Sequence, residues 1–148
     1  MKLLAMAVIL AVAFSVSAQT GVLTSKLQEQ CQAEDRYTEA TRTNDRSHLG
    51  TTDGISAGFC AGYIESWLEG IHHYPASNDD GMVVGYLDFR QGLTNRQVEM
   101  FFMKYVSAHP ESLSNPANVT LRVAMFDADL LAVRLKDGTW TPKPVLAK

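Results

Sequence analysis

The sequence is sparing with cysteine and proline, has no surplus of positive charge, and has one long apolar run. Two of its 148 residues are cysteines and five are prolines, all at Pro75 or beyond, so the first half carries no helix-breaking ring. Thirteen Lys+Arg stand against 16 Asp+Glu, and a mildly acidic chain lacks the basic footprint of nucleic-acid binding. The apolar run, Leu3 to Phe14, is about a dozen residues where a bilayer span needs about 20, which excludes a membrane-spanning mature chain. HExxH, CxxC, G-x-S-x-G and a glycine-rich phosphate loop are all absent. No catalytic residue, metal or cofactor is therefore expected.

What is present begins with an export signal. Met1, Lys2 and the apolar run form its first two regions, and Val16-Ser17-Ala18 offers small residues for cleavage before Gln19. The expected organisation is a leader over 1–18 and a single domain over 19–148. Without Lys2, 12 basic residues face 16 acidic ones, a net charge near −4. A chain of about 130 residues buries roughly two-thirds of its unfolded surface and needs no metal to fold. Its 46% apolar content separates it from disordered segments.

Cys31 and Cys60 both lie in the exported part. An even cysteine count behind a leader points to a disulfide, and a closed loop of about thirty residues contributes roughly 3–4 kcal/mol. The competing reading is a reactive thiol at Cys60. It needs a base within reach, and the spacing singles out none of the four histidines.

Periodicity predicts four helices. Leu23, Leu27 and Cys31 recur at i, i+4, i+8 and predict a helix over 22–35, followed over 36–52 by a polar connection that is either irregular or partly helical. Asp53 caps the second, whose inward stripe comprises Ile55, Phe59, Cys60, Tyr63, Ile64, Trp67, Leu68 and Ile71. Gly54, Gly58 and Gly62 repeat along its flank, each costing about 0.8–1 kcal/mol relative to alanine, so close approach by the first helix or a second subunit is expected. Residues 77–81 are turn chemistry, and 82–87 reads either as a short extended piece or as an irregular helix entry. Thr94 and Gln97 form a capping box for a third helix with Val98, Phe101, Phe102, Tyr105 and Val106 inward, ending ahead of His109-Pro110. Asn115-Pro116 opens a fourth, with Val119, Val123, Phe126 and Leu130 inward, reaching about Leu131 or beyond. Asp137-Gly138 makes a turn, and Trp140 with Val145 tucks the tail. The fold expected is all-α, a small helical bundle of about four helices with one disulfide.

Other polar features are unremarkable. His72 and His73 point about 100° apart on a helix and do not share a metal. Asp79 and Asp80 lack the further oxygen ligands of a calcium loop. Asn118-Val119-Thr120 fits the glycosylation pattern but falls within a helix.

Several motifs in order resemble a known family. They are Leu27-x-x-x-Cys31, then Cys60-Ala61-Gly62-Tyr63-Ile64 with Gly70, then Gly92-Leu93-Thr94 with Gln97, then Tyr105-x-x-x-His109-Pro110-Glu111-x-Leu113-x-x-Pro116-Ala117. Across about 23–126 they resemble the Rap/Tai family of type VI secretion immunity proteins. The resemblance implies a small helical periplasmic protein that binds and sterically inhibits a peptidoglycan amidase effector, often as a homodimer, with no chemistry of its own. The family's usual second cysteine pair is missing here, where the chain reads Asp88-Phe89-Arg90 and Phe126-Asp127-Ala128. Gly62, Tyr63, Gly70, His109, Pro110, Pro116 and Ala117 are read as structural motif residues. Contact with the amidase is expected from the turn Asn78, Asp79, Asp80 and Gly81 with Tyr74, and secondarily from Glu111 and Ser112, because loops on a rigid scaffold carry recognition. A periplasmic acid-stress chaperone and an enzyme using Cys60 are the alternatives.

Overall fold

A computed structural model describes residues 21–77 and 81–141. The expected leader, Asn78, Asp79, Asp80 and Val145 lie outside the described residues. Helix α1 runs Thr24–Thr43 and α2 Asp53–Ile71. A hairpin follows, β1 at Pro75–Ser77 and β2 at Val83–Phe89. Helix α3 spans Asn95–Ala108, a 3-10 turn Pro110–Ser114, α4 Ala117–Asp127, and β3 Leu131–Leu135 closes the fold. The strands form one antiparallel sheet in the order β1-β2-β3. The architecture is thus α+β, which corrects the all-α expectation.

Two local causes account for the correction. The 83–89 segment alternates: Gly85 and Leu87 are buried while Tyr86 is exposed, so it reads as a strand with one face inward. The last helix stops early because Asp129 takes the left-handed conformation at φ 55°. The Leu130 N–H then bonds the Met125 carbonyl (2.9 Å) and the Asp129 N–H that of Phe126 (3.1 Å), a Schellman stop without a glycine to announce it. Leu131, Ala132 and Val133, freed from the helix, pair as β3 with Phe89, Asp88 and Leu87.

The core gathers Leu27, Cys31, Cys60, Ile64, Ile71, Leu87, Val98, Phe102, Val106, Leu121 and Met125. Cys31 and Cys60 form a disulfide with Cα atoms 5.1 Å apart, pinning α1 to α2. Both thiols are consumed, which overturns the reactive-thiol reading of the oxidised chain. Such a bond belongs to an oxidising, exported environment. Among the described residues no helix is long and apolar enough to cross a membrane.

The helices depart from expectation in instructive ways. Helix α1 continues eight residues past 35 because its polar half needs only a thin contact: Ala40 is buried while every other residue from Asp35 to Thr43 is exposed. In α2 the inward face carries Ala57, Cys60, Ile64 and Ile71, whereas Ile55 (77% exposed) and Phe59 (43%) look outward. Gly58 and Gly62 on that outer side face open space where a Cβ would stand, so among the described residues no other element packs closely there. Asp53 caps no N–H of its own helix. Its carboxylate accepts the Gly50 N–H and the Arg36 guanidinium, both at 2.6 Å, and these bonds hold it below the usual carboxylate range. The capping box of Thr94 and Gln97 is present. Helix α4 buries Ala117, Thr120, Leu121, Ala124 and Met125 in place of the expected Val119, Val123 and Phe126.

Candidate functional site

One face of the sheet packs Leu87, Leu131 and Val133 on the core, and the other leaves Tyr86 and Arg134 exposed. Along β2 the pleat sends Gly85 and Leu87 inward and Tyr86 outward, with Asp88 on the Tyr86 side. The register sets Tyr86 opposite Pro75 on one side and Arg134 on the other, and Arg134 is bridged in turn to Trp140. One row thus crosses the sheet as Pro75, Tyr86, Arg134 and Trp140. The Arg134 guanidinium lies 5.9 Å from the Trp140 ring centre, a cation–π placement. Gly85 is required here by space, since a Cβ would overlap the Arg134 carbonyl.

Next to that row is a small charged cluster. The Asp88 carboxylate accepts from His72 Nδ1 at 2.7 Å and lies 3.5 Å from Arg134 Nη1. His72, just beyond the end of α2, rests edge-on against Phe89 (6.3 Å), which meets Trp67 the same way (5.9 Å). Asp88 thereby fixes the imidazole through Nδ1 and leaves Nε2 for another partner. Two shallow concavities flank the pair: one of about 340 Å³ walled by Tyr86, Arg134 and Leu135, and one of about 460 Å³ walled by Leu68, Phe89 and Leu93. Tyr86 and Trp140 of this row are among the ten exposed large apolar side chains of the described residues.

The structure divides the sequence-selected residues between regions. Tyr74 adjoins the hairpin: its carbonyl accepts the Leu87 N–H (2.9 Å) and its exposed ring lies 4.5 Å below the Arg122 guanidinium. Glu111 and Ser112 sit in the 3-10 turn, which packs on α1 and α3. Ser112 is buried, its hydroxyl donating to the His109 carbonyl at 2.7 Å. Glu111 is exposed and held below its ordinary range by its own backbone N–H and by His109, 3.0 Å away. The His109 ring stacks on Tyr105 at 4.3 Å, and Pro110 opens the 3-10 turn. Tyr63 is half-buried with its hydroxyl bonded to the backbone at Asn118, whereas Gly62 and Gly70 face open space. Pro116 bridges to Leu23, and the buried Ala117 donates its N–H to the Val22 carbonyl (2.8 Å), joining the start of α1 to that of α4.

Sequence reasoning missed Tyr86, Asp88, Arg134 and the pairing of His72. The period-two burial of 83–89 was the available signal for the first two. Arg134 lay hidden because α4 was extended too far. One further grouping carries metal-ligand atoms: Cys31, Cys60 and the buried Glu99 each place one within 4.8 Å of the others, although the sulfurs are bonded to each other. Compared with protein-family models, curated proteins and solved structures, the chain matches none.

Proposed function

We propose that this chain is an exported, periplasmic immunity protein that binds a type VI secreted peptidoglycan amidase and blocks it sterically. The partner class comes from the motif resemblance. The observation that carries a binding role is the row Tyr86, Arg134, Trp140 displayed on a disulfide-pinned scaffold. Tyrosine, tryptophan and arginine are the residues that most often dominate interface energy, because large flat side chains bury much area at little entropy cost. In this reading the hairpin enters the enzyme's cleft while the outer sheet face seals around it, and His72, fixed by Asp88, offers Nε2 to the partner. Inhibition then requires no bond to be made or broken. The open side of α2, with Ile55, Phe59, Gly58 and Gly62, is where a second copy of the chain would sit.

The test is protection. Cells exporting the cognate amidase to the periplasm lyse, and co-export of this chain restores growth, whereas Tyr86→Ala with Arg134→Ala does not. If the chain protects against no amidase in a panel of such effectors, the proposal fails.

A further inference from the structure

Beneath the disulfide lies a cluster of acceptors without donors. Glu99 on α3 is 2% exposed, and its Oε2 accepts from Arg96 at 2.7 Å while its Oε1 has no partner. Glu34, one turn along α1 from Cys31, has a second buried oxygen without a partner, Oε2, and Gln30 a third, Oε1. The half-exposed Arg96 also bonds Asp35 at 2.6 Å, so its positive charge is shared. Burying an acceptor without a donor is unfavourable, and a carboxylate oxygen more so. A proton or a cation removes that cost. Desolvation raises the affinity of Glu34 and Glu99 for protons above the ordinary carboxyl value.

The sulfurs make a cation the more specific answer. A carboxylate oxygen of Glu99 and both Sγ atoms lie within 4.8 Å of one another, a spread that one ion with bonds of about 2.0–2.3 Å can gather. Bonded together, the sulfurs are poor ligands. Separated, they are two thiolates on adjacent helices facing a carboxylate from a third.

We propose that reduction of Cys31–Cys60 turns this cluster into a site for a thiophilic divalent cation of the zinc class, ligated by Cys31, Cys60 and Glu99. A dithiol reductant delivers two electrons and two protons, the S–S bond breaks, and the reductant leaves as its own disulfide. The ion then binds the two sulfurs and releases their protons to solvent. The half-exposed Arg96 marks the side of entry. The fold is pinned at one place in either redox state: α1 to α2 by a covalent bond when oxidised, and α1, α2 and α3 by a metal when reduced. This inference is independent of the amidase reading.

The test uses the full mature chain reduced with a phosphine and titrated with Co²⁺ as a probe. The reduced chain should take up one equivalent with thiolate-to-cobalt absorption, release it to one equivalent of Zn²⁺, and melt at a higher temperature with Zn²⁺ than without. The oxidised chain should do none of these. Glu99→Gln, checked for folding by circular dichroism, should weaken binding about tenfold or more. Absence of the absorption in the reduced wild type, or equal affinity in Glu99→Gln, overturns the site.

Discussion

The helical layer and the outer sheet face are built to opposite standards. Around the disulfide, Leu27, Cys31, Cys60, Val98 and Phe102 are 0% exposed and α1 is fastened to α2. On the sheet, Tyr86 and Trp140 are left 46% and 39% exposed. The first region spends its apolar area on the fold, whereas the second withholds it. A chain of this size has little stability to spare, so exposed aromatics retained on a fixed surface point to recognition, and the rigid layer beneath explains how a short hairpin holds its shape without a core of its own.

The difference can be broken open by mutation. Phe102→Ala should cost about 3–5 kcal/mol by opening a cavity in the helical layer, and replacing both cysteines by serine about 3–4 kcal/mol. Both are readable by urea unfolding. Tyr86→Ala, on the exposed row, should change stability by no more than about 0.5 kcal/mol. A large loss there would mean that the row belongs to the core.

Glycines sharpen the same comparison. Gly85→Ala should destabilise by about 1–3 kcal/mol, since its methyl meets the Arg134 carbonyl. Gly58→Ala and Gly62→Ala have open space and helical backbone, so each should stabilise the monomer by about 0.8–1 kcal/mol. Should either destabilise, the α2 face is covered by another copy under the conditions of the measurement.

The smallest effects are in pH. Asp53, held low by Arg36 and Gly50, contributes stability above its ordinary value of 3.8, lost as pH falls through its folded value. Wild type and Asp53→Asn should therefore converge in acid. Glu99 is raised by burial, so its contribution is full below the ordinary 4.5 and is lost as pH rises through the folded value. Glu99→Gln should flatten that decline. The two slopes are opposite, and thermal unfolding from pH 3 to 8, the span on the order of the carboxyl pKa range, separates them.

Much of the helical layer was legible because packing follows periodicity there: Leu27, Cys31, Cys60, Ile64, Val98 and Phe102 sit at helical spacing and are buried together. The capping box was legible because its two residues act locally. The sheet was not. Its strands are short, β3 follows a helix stop made by Asp129 where a glycine is the usual signal, and the 82–87 run satisfied two readings equally well. The outward side of α2 was misjudged for a related reason. Ile55 and Phe59 are apolar at helical spacing, and spacing alone does not tell a core stripe from a recognition stripe. Arg134 and Trp140 required the register, which only the folded chain displays.

The most direct measurement is inhibition of a purified type VI peptidoglycan amidase, followed by muropeptide release, with the wild-type chain and with a variant carrying Tyr86→Ala, Arg134→Ala and Trp140→Ala. The account expects wild type to abolish cleavage at near-equimolar ratio and the triple variant, still folded, to bind at least about a hundredfold more weakly, since such anchors contribute about 2 kcal/mol or more each. Equal inhibition by the two proteins would contradict it.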